Sequence, residues 1–140
     1  MSREVEKADM NMESIRLLHM DDEPAFTRLV KMSLERTGRF SVTMANDPEQ
    51  ALRVLDHYPF DVLISDVVTP GIGGIELHKI VAERFPKLPV GFLTAIISPR
   101  VKQITIDGLP CIAKPVTLEA LLEFIDQLLK PTPPQPAKPA

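Results

Sequence analysis

Five polar residues of this chain follow short apolar runs. Asp21 and Asp22 come just after Ile15–His19, Asp66 after Val62-Leu63-Ile64, Thr94 after Val90–Leu93, and Lys114 after Cys111–Ala113. If the runs are parallel strands of one sheet, their C-terminal ends share an edge, which is where open α/β sheets bind ligands. Three carboxylates that close repel one another and need a cation or shifted pKa values to coexist. The donors are all oxygen, with no His or Cys cluster, and that selects a hard ion, Mg²⁺ first and Mn²⁺ next. An ion beside Asp66 would neutralise an incoming phosphoryl group and let the carboxylate attack phosphorus. Lys114 could pair with one phosphate oxygen and the Thr94 hydroxyl could donate to another. The chemistry these residue types suit is formation of an aspartyl phosphate.

The elements that must position these groups are legible in order. Ile15–His19 reads as a strand, followed by a helix with Phe26, Leu29, Val30 and Leu34 at helical spacing and Gly38 at its end. Ser41–Ala45 is a second strand. Asp47-Pro48 is an N-cap followed by proline at the first helical position, opening a helix with Ala51, Leu52, Leu55 and Tyr58 on one face. Val62-Leu63-Ile64 has the apolar character of a strand buried on both sides. Thr69-Pro70-Gly71 and Gly73-Gly74 then open a loop. A third helix carries Leu77, Ile80, Val81 and Phe85, and Val90–Leu93 is the fourth strand. Ser98-Pro99 can start a fourth helix, but the stretch to Ile106 is rich in β-branched residues, so this helix is expected to be short or irregular. Asp107-Gly108 turns the chain, Cys111–Ala113 is a fifth strand, and Thr117 caps a final helix through Leu118, Leu121, Leu122, Ile125, Leu128 and Leu129. Strand–helix alternation five times over predicts a doubly wound parallel sheet covered on both faces.

Composition sets the frame. The 140 residues are 44% hydrophobic and 25% charged with a net charge of -3, enough for one domain with a real core and without a basic surface for nucleic acid. One cysteine, Cys111, excludes an internal disulfide and fits a reducing compartment. No apolar run approaches the ~18 residues of a membrane span, and no signal-peptide core opens the chain, so a cytoplasmic location and no membrane insertion are expected. We divide the chain into a lead-in over 1–14, a folded domain over 15–130 and a disordered proline-rich tail over 131–140.

The acidic pair Asp21-Asp22, the segment Asp66-x-x-x-Pro70-x-x-x-Gly74, Thr94-Ala95 and Lys114-Pro115, each at a strand end and in this order, resemble the receiver domain of two-component response regulators. The resemblance runs from about Ile15 to Leu129. It implies a flavodoxin-like (βα)5 fold with strand order 2-1-3-4-5, Asp66 as phosphoacceptor, and Asp21 and Asp22 as metal ligands together with Asp66 and the backbone carbonyl of Val68. Thr94 would be the switch hydroxyl and Lys114 the phosphate partner. The donor would be a phosphohistidine on a sensor histidine kinase or a histidine phosphotransfer protein. With no room after Leu129 for a DNA-binding or enzymatic domain, a stand-alone regulator is expected to signal through contact with a downstream protein. Homodimers of the family form through the fourth-helix face, so a short helix there implies at most a weak homodimer.

Three features depart from the family's pattern. Cys111 stands where an aromatic usually couples the hydroxyl to the output face, Thr69 replaces the usual Met before the loop proline, and the fourth helix is short. Val68 and Ile96 are both apolar, so neither side chain can orient a hydrolytic water, and a long-lived phosphoryl state is expected. A small buried strand residue is the expectation for Cys111, packing for His19, and solvated helix faces for His57 and His78. Two competing readings remain at this level: a scaffold that is never phosphorylated, and a phosphatase-like enzyme with an aspartyl nucleophile. The second lacks an acid two residues after Asp66, where Val68 cannot move a proton.

Overall fold

The computed structural model describes residues 14–66, 73–94, 103–106, 109–114 and 116–130. Residues 1–13 of the lead-in, the tail over 131–140, and the positions of Val68, Thr69, Ile96 and Pro115 lie outside the described residues. The elements are β1 (Ile15–Met20), α1 (Pro24–Glu35), β2 (Phe40–Ala45), α2 (Pro48–His57), β3 (Val62–Ser65), α3 (Gly73–Arg84), β4 (Val90–Thr94), β5 (Gln103–Ile106), β6 (Leu109–Ala113) and α4 (Leu118–Leu129).

Punctuation residues act as their chemistry dictates. The Asp47 carboxylate accepts from the Gln50 N–H at 2.7 Å, with Pro48 at the start of α2. The Thr117 hydroxyl accepts from the Ala120 N–H at 3.1 Å. Both satisfy donors that a helix start leaves orphaned. After α1, Gly38 takes φ 80°, a left-handed conformation that costs glycine little.

The sheet runs β2-β1-β3-β4-β6-β5. Its first five strands pair in parallel, giving the flavodoxin-like order 2-1-3-4-5 when the parallel strands are counted along the chain. Successive residues of a strand point to opposite faces, and apolar side chains pack on both. Leu17, Ile64 and Leu93 pack with Val30 and Leu34 of α1 and with Leu121, Phe124 and Ile125 of α4. Leu18, Met20 and Leu63 pack with Ala51 and Leu55 of α2 and Leu77 and Val81 of α3. Each of these side chains larger than Ala51 contributes roughly 1.5–3 kcal/mol of burial. Gly91 lets α4 approach closely, since a Cβ there would come within 2.7 Å of Leu128 and 2.8 Å of the Phe124 ring.

One expectation is corrected. The stretch ending at Ile106 was expected to be the end of a short fourth helix, but residues 103–106 form β5, antiparallel to β6 with Ile104 opposite Cys111 and Ile106 opposite Leu109. Ile104, Thr105 and Ile106 lose side-chain freedom in a helix and fit a pleated surface. The sheet therefore gains a sixth strand beside β6, while the start of the expected helix at Ser98-Pro99 lies outside the described residues.

Candidate functional site

Register carries the five polar residues to one edge. Met20 pairs with Ser65, Ser65 with Phe92 and Thr94 with Ala113, so the residues that follow these strands converge. Asp66 continues from β3, its N–H donating to the Met20 carbonyl at 2.9 Å. Asp21 continues from β1, its N–H donating to the Ala45 carbonyl at 3.0 Å. The carboxylates of Asp21, Asp22 and Asp66 each place an oxygen within 4.8 Å of the others, a spacing that could hold one metal ion. Asp21 and Asp66 are buried and Asp22 is exposed, so the pocket opens to solvent on the Asp22 side.

Lys114 reaches into the acids from the far end of the chain. Its ammonium donates to Asp21 Oδ2 at 2.6 Å and lies 3.6 Å from Asp66 and 3.7 Å from Glu23. Burial disfavours the charge, but the Asp21 hydrogen bond and the fields of Asp21, Asp66 and Glu23 outweigh it, and the lysine pKa is raised. Lys114 is thus firmly cationic, and it is the counter-charge that lets Asp21 be fully buried.

The acidic turn is braced from behind. Asp21 Oδ1 accepts from the Glu23 N–H at 3.1 Å. The Asn46 amide donates to the Asp21 carbonyl at 3.0 Å and to the Thr27 hydroxyl at 3.4 Å, and that hydroxyl donates to the Pro24 carbonyl at 2.9 Å. Sequence reasoning missed Asn46, although it comes directly after β2 at the same edge, just as Asp21 comes after β1 and Lys114 after β6.

Of the expected site residues, Asp21, Asp22, Asp66 and Lys114 are brought together. Thr94 closes β4 opposite Ala113. Val68, whose carbonyl was the expected additional ligand, lies outside the described residues. Cys111 is fully buried on β6. Burial and the Asp66 charge push its thiol pKa up to about 11, so it is a neutral packing residue rather than a reactive thiolate. His19 is fully buried, with its ring edge-on to Phe26. His57 is exposed and bonds the Arg53 carbonyl. His78 is half-buried rather than solvated, against Phe92.

A doubly wound parallel sheet whose C-terminal edge carries three acids and a lysine defines a flavodoxin-like domain with a cation-ready pocket. The chain belongs to the response regulator receiver domain family, which matches residues 17–126. The matched domain is a signalling module of two-component systems. It is 37% identical over 118 residues to the transcriptional regulatory protein TrcR of Mycobacterium tuberculosis, covering 83% of this chain and 46% of that protein. The chain thus spans about half the length of that relative. Its fold is similar to that of the Vibrio cholerae chemotaxis protein CheY4, with a TM-score of 0.72 and 29% identity over 82% of this chain and 98% of that one. It is also similar to a chain of the complex between histidine kinase ThkA and response regulator protein TrrA, with a TM-score of 0.71 and 26% identity over 83% of this chain and 99% of that one. Among the described residues, no helix is long and apolar enough to cross a membrane.

Proposed function

We propose that this domain accepts a phosphoryl group from a phosphohistidine donor onto Asp66 and signals through protein contacts that depend on that group. The observation that carries the reading is the convergence of Asp21, Asp22 and Asp66 around one cation-sized space with Lys114 alongside. The donor set fits a hard divalent ion, since it is all oxygen and two of its three carboxylates are buried. Asp21, Asp22 and Asp66 would hold Mg²⁺ or Mn²⁺, with the Val68 carbonyl as a further ligand. When bound, the ion supplies charge neutralisation for the transferring group. An Asp66 carboxylate oxygen forms the bond to phosphorus as the phosphorus–nitrogen bond to the donor histidine breaks, and the electron pair leaves with the imidazole. Lys114 balances charge on the phosphoryl oxygens and Thr94 donates its hydroxyl to one of them.

Incubation with Mg²⁺ and acetyl phosphate is expected to add one phosphoryl group to the intact mass. Asp66→Asn should show no adduct, and neither should the wild type in chelator. No adduct on the wild type, with no Mg²⁺-dependent binding of beryllofluoride, would overturn the proposal in favour of a scaffold that works without phosphorylation.

The donor is read as a histidine kinase or histidine phosphotransfer protein. α1 and the start of α4 expose large apolar side chains, with Leu29 58%, Met32 59% and Leu118 37% exposed. A shallow groove between the helices is lined by Phe26, Leu29, Ser33, Val116 and Leu118. An exposed apolar face on the helix that follows the acidic pair fits the helical surface of a donor protein. Leu29→Asp combined with Met32→Asp is expected to slow phosphotransfer by at least about tenfold from an autophosphorylated histidine kinase that labels the wild-type chain. Labelling by acetyl phosphate should be unchanged. Equal slowing with both donors would place the effect in the site and not in docking.

A further inference from the structure

Lys114 has a fourth neighbour that is not an acid. Its ammonium lies over the face of Phe26, 4.6 Å from the ring centroid. The inward face of α1 is made by Thr27, Val30 and Leu34, which are buried, whereas Phe26 is only half-buried. Its ring packs against the core on one side and meets the Lys114 ammonium on its face.

The ring is held in place. The His19 ring meets it edge-on, with centroids 5.6 Å apart and planes 72° apart, and His19 is itself fully buried. The first turn of α1 is fixed by the Phe26 N–H donating to the Glu23 carbonyl at 3.0 Å and by the Thr27 hydroxyl on the Pro24 carbonyl. A lysine stem is long and flexible, and Asp21 is the nearest partner of this one. Once Asp21 turns an oxygen to a cation, the ammonium loses its best contact. Glu23, 67% exposed, would then draw it outward. A ring face attracts a cation without competing for the acids.

We propose that Phe26 is a positioning residue for Lys114, its ring face keeping the ammonium beside Asp66 rather than letting it swing out toward Glu23. The inference rests on the reading of Asp66 as phosphoacceptor. It assigns a role to a side chain whose spacing marks it only as a helix-face apolar residue.

The test compares the initial rate of labelling by acetyl phosphate at saturating Mg²⁺ for Phe26→Leu and Phe26→Tyr, each with Lys114 present and with Lys114→Met. Phe26→Leu is expected to slow labelling about tenfold, the scale of a partly desolvated cation–ring contact. Phe26→Tyr, which keeps the ring face, should restore the rate. In the Lys114→Met background Phe26→Leu should change the rate by less than about twofold, because there is no ammonium left to position. A lower melting temperature with an unchanged rate, or the same loss in both backgrounds, overturns the proposal. A wild-type chain that takes no phosphoryl group overturns the phosphoacceptor reading instead. Proton NMR of the wild type keeps the contact testable even if Phe26→Leu fails to fold. The Lys114 ε-methylene protons should be shifted upfield by the ring, and their absence from that region would dismiss the contact itself.

Discussion

Replacing Lys114 by Met is expected to weaken the metal-free fold by about 3 kcal/mol, the scale of a buried carboxylate stripped of its partner, while tightening Mg²⁺ binding. The two effects have one cause. Asp21 is fully buried and its carboxylate is matched by the Lys114 ammonium at 2.6 Å. Met keeps most of the stem but removes the charge, leaving Asp21, Asp66 and the exposed Asp22 facing one another with no cation. The same ammonium competes with a divalent ion for Asp21. Without it, Mg²⁺ affinity should rise on the order of tenfold by loss of like-charge repulsion, and saturating Mg²⁺ should recover much of the lost stability by linkage. Labelling by acetyl phosphate should nevertheless slow sharply, because the charge that faces the phosphoryl oxygens has gone. Urea unfolding with and without Mg²⁺, together with a titration of the ion, checks all three. A variant that binds Mg²⁺ more weakly than the wild type would mean that Lys114 organises the acids instead of competing for one of them.

The ends of the strands were more legible than their partners. Alternating apolar runs and polar stops at residues 21, 66, 94 and 114 report local backbone preferences, and a parallel sheet turns those into a shared edge. Caps such as Asp47 and Thr117 are equally local and were read correctly. Which acid Lys114 would choose is not local. It depends on the relative heights of β1, β3 and β6, and the shorter contact goes to Asp21 rather than to Asp66. Phe26 could not be told from a core residue, because helical spacing reports a face and not what stands in front of it. For β5 the signal was present. Ile104-Thr105-Ile106 and Leu109–Ala113 flank Asp107-Gly108, a strong short-range marker of a hairpin. Strand–helix alternation predicts a helix from Ser98-Pro99, short or irregular because the stretch to Ile106 is rich in β-branched residues, and it is the end of that stretch that forms β5 instead.

The largest expected effect of pH on stability comes from His19, one residue before the end of β1. Its ring is fully buried and neither nitrogen has a hydrogen-bond partner among the described residues. Burial first, and the field of Lys114 second, depress its pKa from 6.5 to about 3. The folded state therefore holds the ring neutral, while the unfolded chain takes up a proton as pH falls below about 6.5. The neutral ring's contribution is fully present above that pH and is lost as pH falls toward the folded value. By about pH 4 the loss amounts to roughly 3 kcal/mol. His19→Leu removes the titration and two buried polar atoms that lack partners, so at pH 7 it should be as stable as the wild type or about 1 kcal/mol more so. In chelator, urea midpoints from pH 7 to about pH 4 should fall more steeply for the wild type than for His19→Leu, with the gap between the curves widening as the pH drops. The common slope that remains belongs to the carboxylates. Parallel curves would show that His19 keeps the same protonation in both states, contrary to the burial and the adjacent ammonium.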